Sequence, residues 1–489
     1  MKTKILFLTA VIALPLFTMA NNIRVVLNSY NPTTKQLKIS LAWDNSWHDG
    51  SGQFRDAAWL FVKYKDITNS EWQHAILANP TSANNILTDT LSGSGVKFDV
   101  IGKNPSVAPG PSGSRGYIIR RQKGATAAVQ NNPQFAGVYN VGMPLTVTIV
   151  LPSGVTLANP EFRVYALEMV NIPTGSFYAG DGSANSIVKN SATNDSPFLL
   201  SSETAGISPN ILGNTMTLPA VSTTAPSFPR GVTEFFQMKY ELSSEGFVEF
   251  LNTLSRTQQN FFGNNSANPL SSASSGTFTM DFYRGSEIST NVFNTSDPVT
   301  FISSKPFKAM RTYLPGYPLA YFDWAALRPM SALEYEKACR GPLQPVINEF
   351  AWGTSNSTDI YTDPDIDLNG INESYSVNVN GPFALTTDPV RCGAFAKASG
   401  SSRLNSGGTY YGAMEMSGNA NELVLVDQTF LGQNGDGKIS ITGEHNTTGW
   451  GTTLHVKTTT VSTTGYNQNS NGNTLNTTDY SVGIRGIIK

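Results

Sequence analysis

The sequence predicts a β-rich α+β protein with two domains: an all-β sandwich over residues 21–165, then a loop-rich domain over residues 166–489. Three observations carry this. Leu37, Ile39, Leu41 and Trp43 alternate with Lys38, Ser40 and Ala42, the period of a strand with one buried face. Further short apolar runs follow, separated by Gly, Pro, Ser and Asn, as in a sandwich. Around Asn171 the texture changes, and from there the chain is dominated by loops with two helical patterns.

Composition narrows the function. The chain has 489 residues, 39% hydrophobic, 10% aromatic and 14% charged, with 33 basic against 35 acidic side chains. That length suits two or three domains. The lack of a basic excess argues against a nucleic-acid-binding module, and the apolar content argues against disorder. Two cysteines in the whole chain exclude a disulfide scaffold. Lys2 and Lys4, the apolar stretch Ile5 to Phe17 and the small residue Ala20 read as a secretory signal peptide over residues 1–20. The stretch is shorter than the roughly 20 residues a membrane span needs. Cleavage after Ala20 removes two lysines and takes the formal charge from -2 to -4. The expectation is an exported protein, periplasmic, surface-held or extracellular, with no transmembrane segment after cleavage.

In the sandwich, strands are expected at Ile23–Leu27, Ala57–Tyr64, Trp72–Leu77, Gly116–Arg121, Leu145–Leu151 and Phe162–Met169. Trp43, Trp47, Trp59 and Trp72 read as core material in preference to a sugar-stacking platform, since aromatic rings supply much of a core's buried area. Asp44, Asn45, Asp49 and Asp56 read as a solvated turn in preference to a metal loop, because no fixed ligand spacing is visible. Beyond Asn171 a helix is expected over Ser243–Leu254, where Phe247, Phe250, Leu251 and Leu254 share a face. Another starts at Ser331, where Glu334 completes a capping box, and stops at Gly341-Pro342. Residues 185–227, 264–294 and 354–380 read as long polar loops. So much irregular chain implies loops that are functional or braced, for instance by cations.

Several segments of this half, in order, resemble the formylglycine-generating-enzyme (sulfatase-modifying-factor) domain. They are Ile172–Phe177, Phe236–Ser243, Trp324–Gly341, Phe350-Ala351-Trp352-Gly353, Tyr411–Glu422 and Gly483-Ile484-Arg485-Gly486, spread over 315 residues. Trp352, Gly353, Asn419 and Arg485 are the motif positions that tie the resemblance together. It does not reach residues 21–165. It implies a loop-rich variant of the C-type lectin fold. It also implies a structural Ca²⁺ held by Glu415, the carbonyls of Gly418 and Ala420, and Glu422, although the family usually carries Asn or Asp where Glu415 stands. Independently, Ser417-Gly418-Asn419 reads as a sharp turn flanked by carboxylates, a set of hard oxygen donors suited to Ca²⁺.

The family's oxidation of a substrate cysteine uses two C-terminal cysteines that bind copper, and soft thiolates are what Cu(I) requires. No cysteine follows Cys392 here, so no copper is expected. Cys339 and Cys392 read as a disulfide in an exported protein, as two buried thiols or, least favoured, as a copper pair. His48, His74, His445 and His455 lack metal-ligand spacing. Gln433–Ser440 approaches a calcium-binding loop but has glycine at both ends where acids belong, and reads as a hairpin turn. The sequence therefore favours a non-catalytic binding or structural protein of a bacterial cell surface, whose partners are surface proteins or glycans. The alternatives are an active copper oxidase and a display protein whose variable loop is Thr463–Tyr480, rich in Asn, Thr, Ser, Gly and Tyr.

Overall fold

In the computed structural model, the described residues of the first half form ten strands: β1 (Arg24–Asn31), β2 (Gln36–Asp49), β3 (Asp56–Asp66), β4 (Asn69–His74), β5 (Ile76–Leu77), β6 (Ile86–Thr88), β7 (Lys97–Lys103), β8 (Gly116–Arg121), β9 (Ala136–Val150) and β10 (Glu161–Ile172). The structure describes residues 22–489 except 50–53, 67–68, 82–85, 104–112, 123–135, 152–156, 185, 187, 212–213, 223–226, 264–268, 282–286, 313, 315, 356–388, 395–402, 427, 447–449, 451–453 and 458–481. The expected signal peptide and the Thr463–Tyr480 loop lie outside the described residues.

A four-stranded sheet, in order β1-β2-β9-β5, faces a larger sheet containing β10-β3-β8-β7-β6. Between them Leu37, Ile39, Leu41 and Trp43 of β2 meet Ala58, Leu60 and Val62 of β3 and Val141, Met143 and Leu145 of β9. This is the β-rich sandwich that the alternation in β2 predicts.

β3 does not alternate, and the structure shows why. Its other face, Ala57, Trp59 and Phe61, is buried in a second core shared with the rest of the chain. A strand covered on both sides reads as a continuous apolar run. Strand β10 runs through the boundary expected at residues 165/166. Its far end pairs with Phe235–Met238, which in turn pairs with Ile487–Ile488. One sheet thus takes strands from the start, middle and end of the chain.

Among the described residues the second half contains the helices Ser244–Leu251, Arg256–Gly263, Gly316–Trp324 and Ala332–Arg340, with a single turn at Arg403–Ser406. Both expected helices are present. Ser331 caps Ala332–Arg340 with the full capping box, and Gly341 ends it at φ 68°. The other two, Arg256–Gly263 and Gly316–Trp324, have no counterpart among the expected elements. Gly316–Trp324 is buried at Tyr317 and every residue after it, so no polar stripe marks it in the sequence.

The two halves are clasped by polar contacts. Trp59 Nε1 donates to the Ala325 carbonyl at 2.9 Å, and Lys63 Nζ donates to the carbonyls of Trp324 (2.6 Å) and Gly437 (2.7 Å). The segment Gln433–Ser440 is a docked loop whose strand-like pairing, among the described residues, is the isolated antiparallel bridge of Ile439 with His445. Asp323 holds it by accepting from the amides of Asp436 (3.1 Å) and Asn446 (2.9 Å).

Candidate functional site

The segment from Met414 to Glu422 crosses the middle of the second core as a turn. Glu415 (φ 57°) and Asn419 (φ 64°) are left-handed, and Gly418 stands at φ 114°. Such angles are uncommon for side-chain-bearing residues and persist where surroundings over-determine them. Here the surroundings are buried polar side chains. Glu241 accepts from the Ala420 amide at 2.8 Å and from the Asn419 side-chain amide. Asn419 Oδ1 accepts from the Val390 amide at 2.9 Å, and Ser417 Oγ accepts from the Ala351 amide at 2.9 Å. Arg485 forks beneath the turn. It donates to the carbonyls of Met238 and Lys239 at 3.0 Å each and of Met414 at 2.7 Å, and its Nε lies 3.4 Å from Glu422.

Glu241, Glu415 and Glu422 are therefore buried in one cluster around the Arg485 guanidinium. Burial pushes the Glu415 carboxyl up to about 7, against the pull of Arg485, the Gly393 amide, Arg391 and Lys239. Burial also pushes Glu241 well up; Arg485 opposes this, while Glu422 and Glu415 add to it. Glu415 Oε1 accepts from Gly393 at 2.9 Å, but its Oε2 is buried with no hydrogen-bond partner among the described residues. Buried carboxylates in this state favour taking up a proton or a cation. Among the described residues no three His, Cys, Asp or Glu side chains converge as a metal-binding group.

Both cysteines are buried and no disulfide joins them, unlike the bridged reading of the sequence. Cys339 lies in the second core on Ala332–Arg340. Cys392 lines a small cavity of about 50 Å³ together with Met238, Tyr240 and Glu241. Its thiol is pushed well up by burial, and further by Glu241 and Glu415. The thiolate is the nucleophile and metal ligand, so this environment suppresses the form that copper binding needs.

The remaining motif residues are structural neighbours of the turn. Trp352 stacks on Phe350 with centroids 4.4 Å apart. Gly353 (φ 90°) faces the Arg403 guanidinium so closely that a Cβ would sit 2.6 Å from Nη1. Arg403 in turn donates to the carbonyls of Ala351 (2.8 Å) and Cys339 (3.1 Å). The structure thus gathers Glu415, Gly418, Asn419, Ala420, Glu422 and Arg485 in one place, with Cys392 beside them. Sequence reasoning misses Glu241 as a site residue. It stands in the Lys239-Tyr240-Glu241 segment, yet no period or spacing marks a buried glutamate there.

The other candidates read from the sequence resolve differently. Trp43 and Trp59 are core, Trp47 packs against the second core, and Trp72 lies beneath Lys65 (4.9 Å) and Arg163 (4.5 Å). The acidic group expected in a solvated turn is not one. Asp56 is buried and accepts from Trp43 Nε1 (2.8 Å) and Ser46 Oγ (2.9 Å), while Asp44, Asn45 and Asp49 lie within β2. The reason is that β2 continues to Asp49, paired with β9. His74 is buried, its Nε2 2.6 Å from the Arg115 carbonyl, and His445 stacks on Trp450.

No family model and no curated protein matches the chain. Among solved structures it is similar to the group B streptococcus pilus 2b backbone protein, at 13% identity over 43% of this chain and 82% of that chain. The TM-score is 0.14, and at that value the likeness carries no argument.

Proposed function

We propose that this is an exported, non-catalytic binding or structural protein of a bacterial cell surface. On this reading its second half is a formylglycine-generating-enzyme-like domain of C-type-lectin-like fold, and its partners are surface proteins or glycans. The ordered motifs at Phe236–Ser243, Trp324–Gly341, Tyr411–Glu422 and Gly483–Gly486 support the family reading. The observation that carries the loss of catalysis is the placement of the only two thiols: Cys339 in an apolar core, and Cys392 where burial, with Glu241 and Glu415 beside it, disfavours the thiolate. Neither setting suits a thiolate pair for copper.

A structural Ca²⁺ at the Met414–Glu422 turn belongs to the same reading. The unpartnered Glu415 Oε2 supports it, with Gly418 and Ala420 carbonyls as neutral donors and Glu422 as the second acid. Its contribution is to brace the turn, and chelation with EDTA is expected to lower the thermal unfolding midpoint. An unchanged midpoint removes the ion. The loss of catalysis is tested by incubating the protein with copper and a sulfatase-type cysteine peptide under air, with mass spectrometry of the peptide. Retention of the thiol is expected. Conversion to an aldehyde overturns the proposal.

A further inference from the structure

The four-stranded sheet carries an open concavity of about 650 Å³, lined by residues of the first half. They are Arg24 of β1, Asp44 and Asn45 of β2, Tyr139 and Asn140 of β9, and Ser92, with Leu91 at the rim. β1, β2 and β9 are adjacent strands, so most of the lining sits on rigid elements, the condition for a precise site.

The concavity is made by a β-bulge. Trp43 pairs with Val141 and Ser46 with Tyr139, so two residues, Asp44 and Asn45, stand opposite Asn140 alone. Asn45 takes φ 55°, and its amide donates to Asn140 Oδ1 at 3.1 Å. Bulges re-aim side chains and are over-represented beside functional sites. The bulge turns Asp44 towards Arg24, which grips it at both oxygens (3.0 and 3.1 Å), while Asn22 Nδ2 adds a third bond at 2.8 Å. The pair stays 30% and 25% exposed, so its remaining capacity faces solvent in a fixed orientation.

The chemistry of this lining points to one ligand class. The ion pair is neutral overall, so an anion meets Asp44 and a cation meets Arg24. The other polar groups are the side-chain amides of Asn45 and Asn140 and the hydroxyls of Tyr139 and Ser92, the last already bonded to Ser94 and Asp89; amides and hydroxyls both donate and accept. Tyr139, partly buried with Arg121 5.1 Å beneath its ring, and Leu91, 56% exposed, provide an apolar surface beside them. A few placed polar groups next to an apolar wall are the general form of a small-molecule site. A neutral sugar presents the complement: vicinal hydroxyls that donate and accept on its edge, and C–H groups on its face. We infer that the bulge concavity binds a neutral carbohydrate. This rests on the first half alone and stands or falls independently of the reading of the second.

The experiment is saturation-transfer NMR on the full chain with glucose, galactose, mannose and N-acetylglucosamine as separate probes, and N-acetylneuraminic acid as an anionic one. Transfer to the C–H protons of at least one neutral sugar is expected. That affinity should fall about tenfold, some 1.4 kcal/mol, in both Tyr139→Ala and Asn140→Ala. Asn140 is exposed, so its variant keeps the overall fold even where Tyr139→Ala does not; it also loses the bond from the Asn45 amide, so it reads the bulge and the sugar contact together, and the melting temperature of each is recorded. No transfer to any neutral sugar overturns the inference. So does transfer unchanged in the Asn140→Ala protein, or a preference for the anionic sugar.

Discussion

The two halves of this molecule satisfy their backbones in different ways. In the sandwich, long ladders such as β2 with β9 and β3 with β10 pair the amides and carbonyls, and the side chains between the sheets are apolar. In the second half, ladders are two to six residues long, and buried charged side chains do much of the pairing. Arg485 serves three carbonyls, Arg230 two, Lys337 two and Arg256 three. The bidentate pair Arg328–Glu334 fixes the glutamate that exchanges both capping bonds with Ser331 at a helix start. Irregular chain can be buried if charged groups replace the ladder, because a buried polar group left unpaired costs more than a pairing gains.

That difference can be broken by substitution. Glu334→Ala leaves Arg328 charged and fully buried, and removing one partner of such a pair costs about 3–5 kcal/mol. Leu60→Ala in the sandwich costs about 3 kcal/mol through lost burial and a cavity. Urea unfolding of both variants checks the order. A larger loss for Leu60→Ala would mean that charge pairing is not what holds the second half.

Acid should sharpen the contrast. Burial raises the Glu334 carboxyl, but Arg328 and the Ser331 amide outweigh it, so its folded value lies below the ordinary one of 4.5. A carboxyl lowered by folding stabilises the protein above its unfolded value, and that contribution fades as pH falls towards the folded value. The unfolding midpoint should therefore drop below about pH 4.5, and by less in Glu334→Gln, which starts lower. A pH series of thermal melts measures it. The smallest effect belongs to the sandwich surface: the exposed Lys65–Glu161 pair, at 2.8 Å, should cost under about 1 kcal/mol when Glu161 becomes Gln.

What can be read in the sequence follows the same division. β2 is legible because a strand with one buried face alternates, and β8 because its apolar run Tyr117–Ile119 follows a stretch of turn residues. β7 is not, because its alternation of Phe98 and Val100 with Lys97 and Asp99 lasts only to Val100 before Ile101 and Gly102 break it. The capping box at Ser331 is legible because its two bonds are local. The turn at Ser417–Asn419 is legible from its composition, but its holder is not. Glu241 lies 178 residues from Asn419, and no local pattern reports a partner at that distance. The bulge at Asp44 is hidden for a related reason: its cause is Asn140, on a strand 95 residues away from Asn45.

The strand that lends Leu60 to one core and Trp59 to the other has a consequence for modularity. A gene fragment encoding the first half alone would carry β3 and β10 with one face bare, exposing Trp59, Phe61, Tyr165 and Met169 to water, and the second half alone would lose those same side chains from its core. Grafting one half onto a foreign chain therefore transfers an aggregation hazard along with it, and the two halves are expected to be inherited, expressed and lost together.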